Sequence, residues 1–167
     1  MMLLKTRSLA AGACLCAGVL AGVTANRALV ELPAWERLGV VTWAEFTRAE
    51  NHGIGSVFYL VIGLLTILFT LATAIRLRRD PSLSHARRLP AYAAAVLALV
   101  YAVITRAILV PAVFRMRAAG NDSAALMEVF SQQARWWWVN DGLHVAAFAL
   151  SLWAFAEILA CAEGAAQ

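Results

Sequence analysis

The sequence predicts an all-α integral membrane protein folded as a four-helix up-down-up-down bundle, and three observations carry that expectation. Four apolar runs, at 8–30, 53–75, 90–114 and 139–161, each approach the ~20 residues an α-helix needs to cross hydrocarbon. The 167 residues are 62% hydrophobic and only 14% charged, which leaves too little polar surface for a water-soluble domain. The connections between runs are short, which makes sequence neighbours antiparallel packing neighbours. One transmembrane domain covering residues 1–167 is the expected organisation.

Charge orients the bundle. The connection between the second and third runs holds Arg76, Arg78, Arg79, Arg87 and Arg88 against Asp80, and by the positive-inside rule it is cytoplasmic. Both termini then lie on the cytoplasmic side of the plasma membrane, in agreement with Lys5 and Arg7. The opposite connections balance Arg27, Arg37 and Arg48 with Glu31, Glu36, Glu45 and Glu50, and Arg115, Arg117 and Arg135 with Asp122, Glu128 and Asp141. The net charge of +4 is therefore a topology signal, not a nucleic-acid footprint. The lipid bilayer is the expected partner, with a hydrophobic small molecule and homo-oligomerisation left open.

The first run, 8–30, presents Cys14, Gly18, Gly22 and Asn26 at four-residue spacing, a small-residue face suited to close helix approach. A competing reading is a cleaved signal peptide ending near Val23-Thr24-Ala25, behind Lys5 and Arg7. Cys14, Cys16 and Cys161 fall in cytoplasmic halves, where thiols stay reduced, and a Cys-x-Cys pair lacks zinc or redox spacing. No metal site is expected. Residues 42–51, with Trp43 and Phe46 beside Glu45, Arg48 and Glu50, read as an amphipathic interfacial helix or one that protrudes beyond the bilayer.

The second run, 53–75, sets His52, Ser56, Tyr59, Gly63, Thr66, Thr70 and Thr73 on one weakly polar face. The third, 90–114, places Ala95, Leu99, Ala102 and Arg106 on one stripe, and Pro111 bends it near its outer end. In the fourth, 139–161, Asn140, His144, Ala147, Ser151, Ala154 and Cys161 share the interior face. Trp35, Trp43, Trp136, Trp137 and Trp138 gather at the outer side, where indoles prefer the headgroup layer.

Ionisable residues inside spans are costly and mark candidate sites. Asn26, Arg27, Glu31, His52, Arg106, Asn140, Asp141 and His144 converge on the outer half, which predicts a pocket opening outward, with Tyr59 about two turns below His52. His144 is the candidate acid, base or ligand, because it lies one turn inside Asn140 on the presumed interior face. Arg106 either contacts substrate or pairs with Asp141 or Glu31, and His52 is either a ligand or a hydrated helix end. Haem held between His52 and His144 is a competing cofactor reading, although no haem-attachment motif, phosphate loop, metalloprotease motif or serine-nucleophile motif occurs.

The chain resembles the anthrone-oxygenase-like family of small four-span membrane proteins. The likeness rests on Ala17-Gly18-Val19-Leu20-Ala21-Gly22 running into Leu32-Pro33-Ala34, on Val110-Pro111 after the third span, and on Arg135 to Trp138 followed by Asn140. Two departures stand out. Val110 and Ala112 flank the proline where the family tends to have asparagines, and Asp141-Gly142 follow Asn140 where it tends to have His then Arg. The resemblance implies oxidation of a hydrophobic aromatic substrate by molecular oxygen without a dedicated cofactor. On that basis His144 is the base, Arg106 the electrostatic partner, and Asn140 and Tyr59 the hydrogen-bond donors. The opposing expectations are a non-enzymatic structural or accessory membrane subunit and a haem- or quinone-binding membrane protein.

Overall fold

A computed structural model describes residues 2–52, 54–80 and 83–164, with the side chains of 2–5, 51, 52 and 164 outside the description. Among the described residues the chain is helical, with no strand, and four of its helices are long and apolar enough to cross a membrane. We number five continuous helices. Helix α1 covers 2–38, α2 Val40–His52, α3 Ile54–Arg78, α4 His85–Ala118 and α5 Ser123–Gly164. The expected spans 8–30, 90–114 and 139–161 lie inside α1, α4 and α5, the span 53–75 lies inside α3 from residue 54 on, with residue 53 outside the described residues, and the expected 42–51 helix lies inside α2.

The four long helices form a ring in which each touches two neighbours, α1 beside α3 and α5, and α4 beside α3 and α5. Paired positions run in opposite directions. Gly12 meets Phe69 across α1 and α3, and Gly18 meets Phe148 across α1 and α5. The contacts of Tyr101 with Gly63 and His144 fix α4 against α3 and α5 in the same sense. The short connections of the sequence dictate this antiparallel order.

Sharp chain reversals fall where the residues permit them. Gly39, at φ 91°, ends α1 and donates its N–H to the Trp35 carbonyl at 2.8 Å. Gly120, at φ 55°, ends α4, and Asp122 then caps α5 by accepting from the Ala124 and Ala125 amides at 2.9 and 3.2 Å. At the other end, the Arg88 guanidinium donates to the carbonyls of Asp80 and Leu83 and gathers the α3–α4 connection.

Prolines shape both outgoing helices in the same way. Pro33 and Pro111 have no N–H to return to the preceding turn, and just before each the helix widens into a π-turn, at Arg27–Glu31 and Thr105–Leu109. The amides of Leu32 and Val110 reach back to the carbonyls of Arg27 and Thr105, so neither helix breaks. The expected bend at Pro111 therefore takes the form of a π-turn, with a counterpart before Pro33.

The helices outrun the bilayer. The 42 residues of α5 extend about 63 Å, roughly twice the hydrocarbon thickness. At the tryptophan-rich end, the ends of α1 and α4, the start of α5 and the first turns of α2 enclose a core of Leu32, Trp35, Trp43, Leu109, Met116, Leu126, Phe130 and Trp137. This corrects the reading of Trp35, Trp43 and Trp137 as headgroup anchors. Trp35, Trp43 and Trp137 are buried against one another, with centroids 5.6 to 6.4 Å apart, whereas Trp138 is exposed.

Candidate functional site

Midway between the tryptophan-rich head and the bundle interior, polar groups from all four spanning helices meet. The interior face of α5 is the one the sequence marks, because Asn140, His144, Ala147, Ser151 and Ala154 are all buried. Asp141 is buried beside them and forms an ion pair and hydrogen bond with Arg27 of α1. The Arg27 guanidinium also lies over the Trp137 ring, 5.5 Å from its centroid, so one cation is held by a carboxylate and an indole face. The π-turn begins at Arg27 itself.

Helix α4 supplies the next layer. Tyr101 packs its ring against the His144 imidazole at 4.2 Å and donates its hydroxyl to the Gly63 carbonyl of α3 at 3.3 Å. The Thr105 hydroxyl donates to Asn140 Oδ1 at 3.5 Å. The result is a chain of contacts from α1 through α5 and α4 to α3. His144 is only 6% exposed.

The sequence-predicted residues are not all brought together. His144 and Asn140 belong to the cluster, and Arg106 does not. Arg106 is exposed on α4 and pairs with neither Asp141 nor Glu31, because the interior stripe of that helix is Ala94, Ala98, Tyr101, Thr105 and Leu109, one residue behind the expected one. Tyr59 sits at the margin of the apolar cluster around Tyr101 and donates to Glu50 of α2 at 3.3 Å, tying α3 to the head. The side chain of His52 lies outside the described residues.

Two further expectations are corrected by the packing of α1. Gly22 and Asn26 are exposed, and Asn26 donates to its own helix's Glu31 at 2.8 Å. The buried stripe instead runs through Ala10, Ala13, Ala17, Leu20 and Thr24. The two best-formed cavities among the described residues lie at the opposite end, a crevice of about 10 Å³ walled by Ala13, Thr70, Ala94 and Ser151 and a groove of about 330 Å³ between α1 and α3. No group of three or more His, Cys, Asp or Glu side chains placed to hold a metal occurs among the described residues.

Sequence reasoning placed Arg27 in the polar cluster without giving it a role, and it missed Tyr101. Arg27 carried a detectable signal, since it ends an apolar run at the depth of Asp141, but choosing between Arg27 and Arg106 requires the rotation of each helix. The fold and cluster together define a small multi-pass helical membrane protein with a polar layer linking its four spans. No protein-family profile, no curated protein and no solved structure matches the chain.

Proposed function

We propose that the protein is a non-enzymatic structural or accessory subunit of the plasma membrane, a four-helix anchor that carries a rigid aromatic head at the bilayer surface. One observation carries this reading: the polar layer ties the helices together pairwise, Arg27 to Asp141, Asn140 to Thr105 and Tyr101 to Gly63, each contact joining two different helices. Such contacts lock helix rotation in a medium that offers no competing water. The basic connection Arg76 to Arg88 supports placing the head outside and both termini within. The test is an oxygen-consumption assay on purified protein with hydroxylated polycyclic aromatics, alongside the melting temperature of Asp141→Asn. A lowered melting temperature with no oxygen uptake supports the reading, and turnover by the wild type that is lost in a folded His144→Ala overturns it.

A second reading is favoured by His144 itself, a buried imidazole packed against the Tyr101 ring within the polar layer. It follows the anthrone-oxygenase resemblance. His144 removes a proton from a ring methylene, molecular oxygen adds to the carbanion, and loss of water leaves a ketone, so that CH2 plus O2 gives C=O plus H2O. Asn140, one turn before His144 on the same buried face, is the hydrogen-bond donor, and the cationic role assigned to Arg106 passes to Arg27, with Tyr101 replacing Tyr59 beside the base. A primary isotope effect on the deuterated methylene, absent in His144→Ala, is the expected signature.

A further inference from the structure

The groove of about 330 Å³ at the basic-loop end belongs to neither reading of the polar layer. Ser8 and Leu9 of α1 and Phe69 and Arg76 of α3 line it. Beside it α1 and α3 approach closely at Gly12, where a Cβ would stand 3.1 Å from the Phe69 ring, so any larger residue would press on Phe69. Phe69 and Arg76 are seven residues apart, two helical turns, which puts the guanidinium on the same stripe about 10 Å above the ring.

The rim is cationic and its charge is not consumed within the protein. Arg87 is bridged to Glu157 at 3.5 Å and Arg88 is committed to the loop carbonyls. Arg76, Arg78 and Arg79 form no ion pair among the described residues, and all three are exposed at the end of α3. The groove is thus apolar at depth, hydroxyl- and guanidinium-lined at its mouth, and open toward the bilayer. Its volume equals about ten water-sized groups at ~30 Å³ each, enough for a glycerophosphate head and the start of an acyl chain.

We infer that this groove is a binding site for one anionic phospholipid, with its phosphate at Arg76 and an acyl chain along Leu9 and Phe69. Basic recesses between helices on the positively charged side recognise such headgroups, whereas a zwitterionic lipid presents a compensating cation. The occupant is a lipid and not free phosphate, because half of the lining is apolar and continuous with hydrocarbon.

The test uses full-length protein in nanodiscs of phosphatidylcholine doped with phosphatidylglycerol, with native mass spectrometry reading the lipids retained. Wild type is expected to hold phosphatidylglycerol enriched about fivefold over its bulk fraction, the effect of roughly one basic side chain at an anionic headgroup. Arg76→Gln should bring retention to the bulk fraction. Leu9→Trp, which fills the groove and keeps every charge, should do the same, and Arg37→Gln at the far end should leave the enrichment intact. Persistent enrichment in Arg76→Gln, or displacement of the lipid by inorganic phosphate, overturns the assignment. Enrichment that survives in a Leu9→Trp protein of unchanged helicity also overturns it, because diffuse surface charge would then suffice.

Discussion

Toward the basic-loop end the helices meet largely through Ala10, Ala13, Thr70, Ala91, Ala94, Ser151 and Ala154, with Leu77, Leu83 and Ile158 buried beside them, whereas at the tryptophan end they meet through Trp35, Trp43, Met116, Leu126, Phe130 and Trp137. The contrast follows from the solvent each half escapes. Lipid tails are as apolar as leucine, so large side chains gain little by leaving them, and helices in hydrocarbon associate where small residues allow backbones to approach. In water, burial of large apolar surface is itself the driving force. Small residues along most of one half and aromatic residues in the other match those two requirements.

The largest expected effect comes from the head. Trp43 is fully buried and edge-on to Phe130, Trp35 and Trp137. Trp43→Ala is expected to cost about 3–5 kcal/mol, read by denaturant titration in micelles from tryptophan fluorescence. Trp43→Phe should cost far less, since the indole N–H has no partner to lose. Comparable losses in the two variants would mean that aromatic packing does not stabilise the head.

In the hydrocarbon half the same experiment must change sign in size. Ala98 is fully buried where α4 meets its neighbours, and Ala98→Leu is expected to cost about 2–3 kcal/mol by overpacking. Leu99→Ala, one position away and exposed, should change stability by less than about 0.5 kcal/mol, because lipid replaces its contacts. Steric trapping or unfolding in mixed micelles measures both. A stabilising Ala98→Leu would show that the bundle is held by side-chain bulk and not by close approach.

The polar layer between the halves gives an intermediate effect. A double-mutant cycle on Arg27→Gln and Asp141→Asn should yield a coupling of about 1–2 kcal/mol, moderate because Arg27 retains 20% side-chain exposure. Arg106→Gln should leave melting unchanged, since that residue is exposed and outside the layer. A coupling of Asp141 to Arg106 in place of Arg27 would reverse the assigned rotation of α4.

That rotation marks where the sequence ceased to be legible. The spans, their antiparallel order and the α2 helix follow from hydropathy and loop length alone. The interior face of α5 was legible too, because Asn140, His144, Ala147, Ser151 and Ala154 have no rival stripe. On α4 two stripes one residue apart, Ala94-Ala98-Tyr101-Thr105 and Ala95-Leu99-Ala102-Arg106, both contain alanine, and the rule that buried charge marks an interior selected the wrong one. The π-turn at Thr105–Leu109 adds to the ambiguity, because α-helical periodicity does not carry through it. The tryptophans misled for a different reason: an indole with no known neighbours reads as an anchor, and only the tertiary fold supplies the partners that make it a core.

Tyr101 carries the smallest predicted effect and the sharpest distinction. Its hydroxyl makes one interhelical hydrogen bond, to the Gly63 carbonyl at 3.3 Å, in a region where such bonds average about 0.6 kcal/mol. Tyr101→Phe removes that bond and preserves the ring against His144, so a loss near that value in melting experiments is the expected result if the layer only locks helices together. Tyr101→Leu removes the ring contact as well and should cost more, in keeping with an aromatic pair worth roughly 0.5–1.5 kcal/mol beyond area. If Tyr101→Phe instead leaves stability untouched while changing the nitrogen chemical shifts or tautomer of His144, the hydroxyl is part of a network tuned around the imidazole. That outcome would move the polar layer from a packing device toward the chemical role that His144 still leaves open.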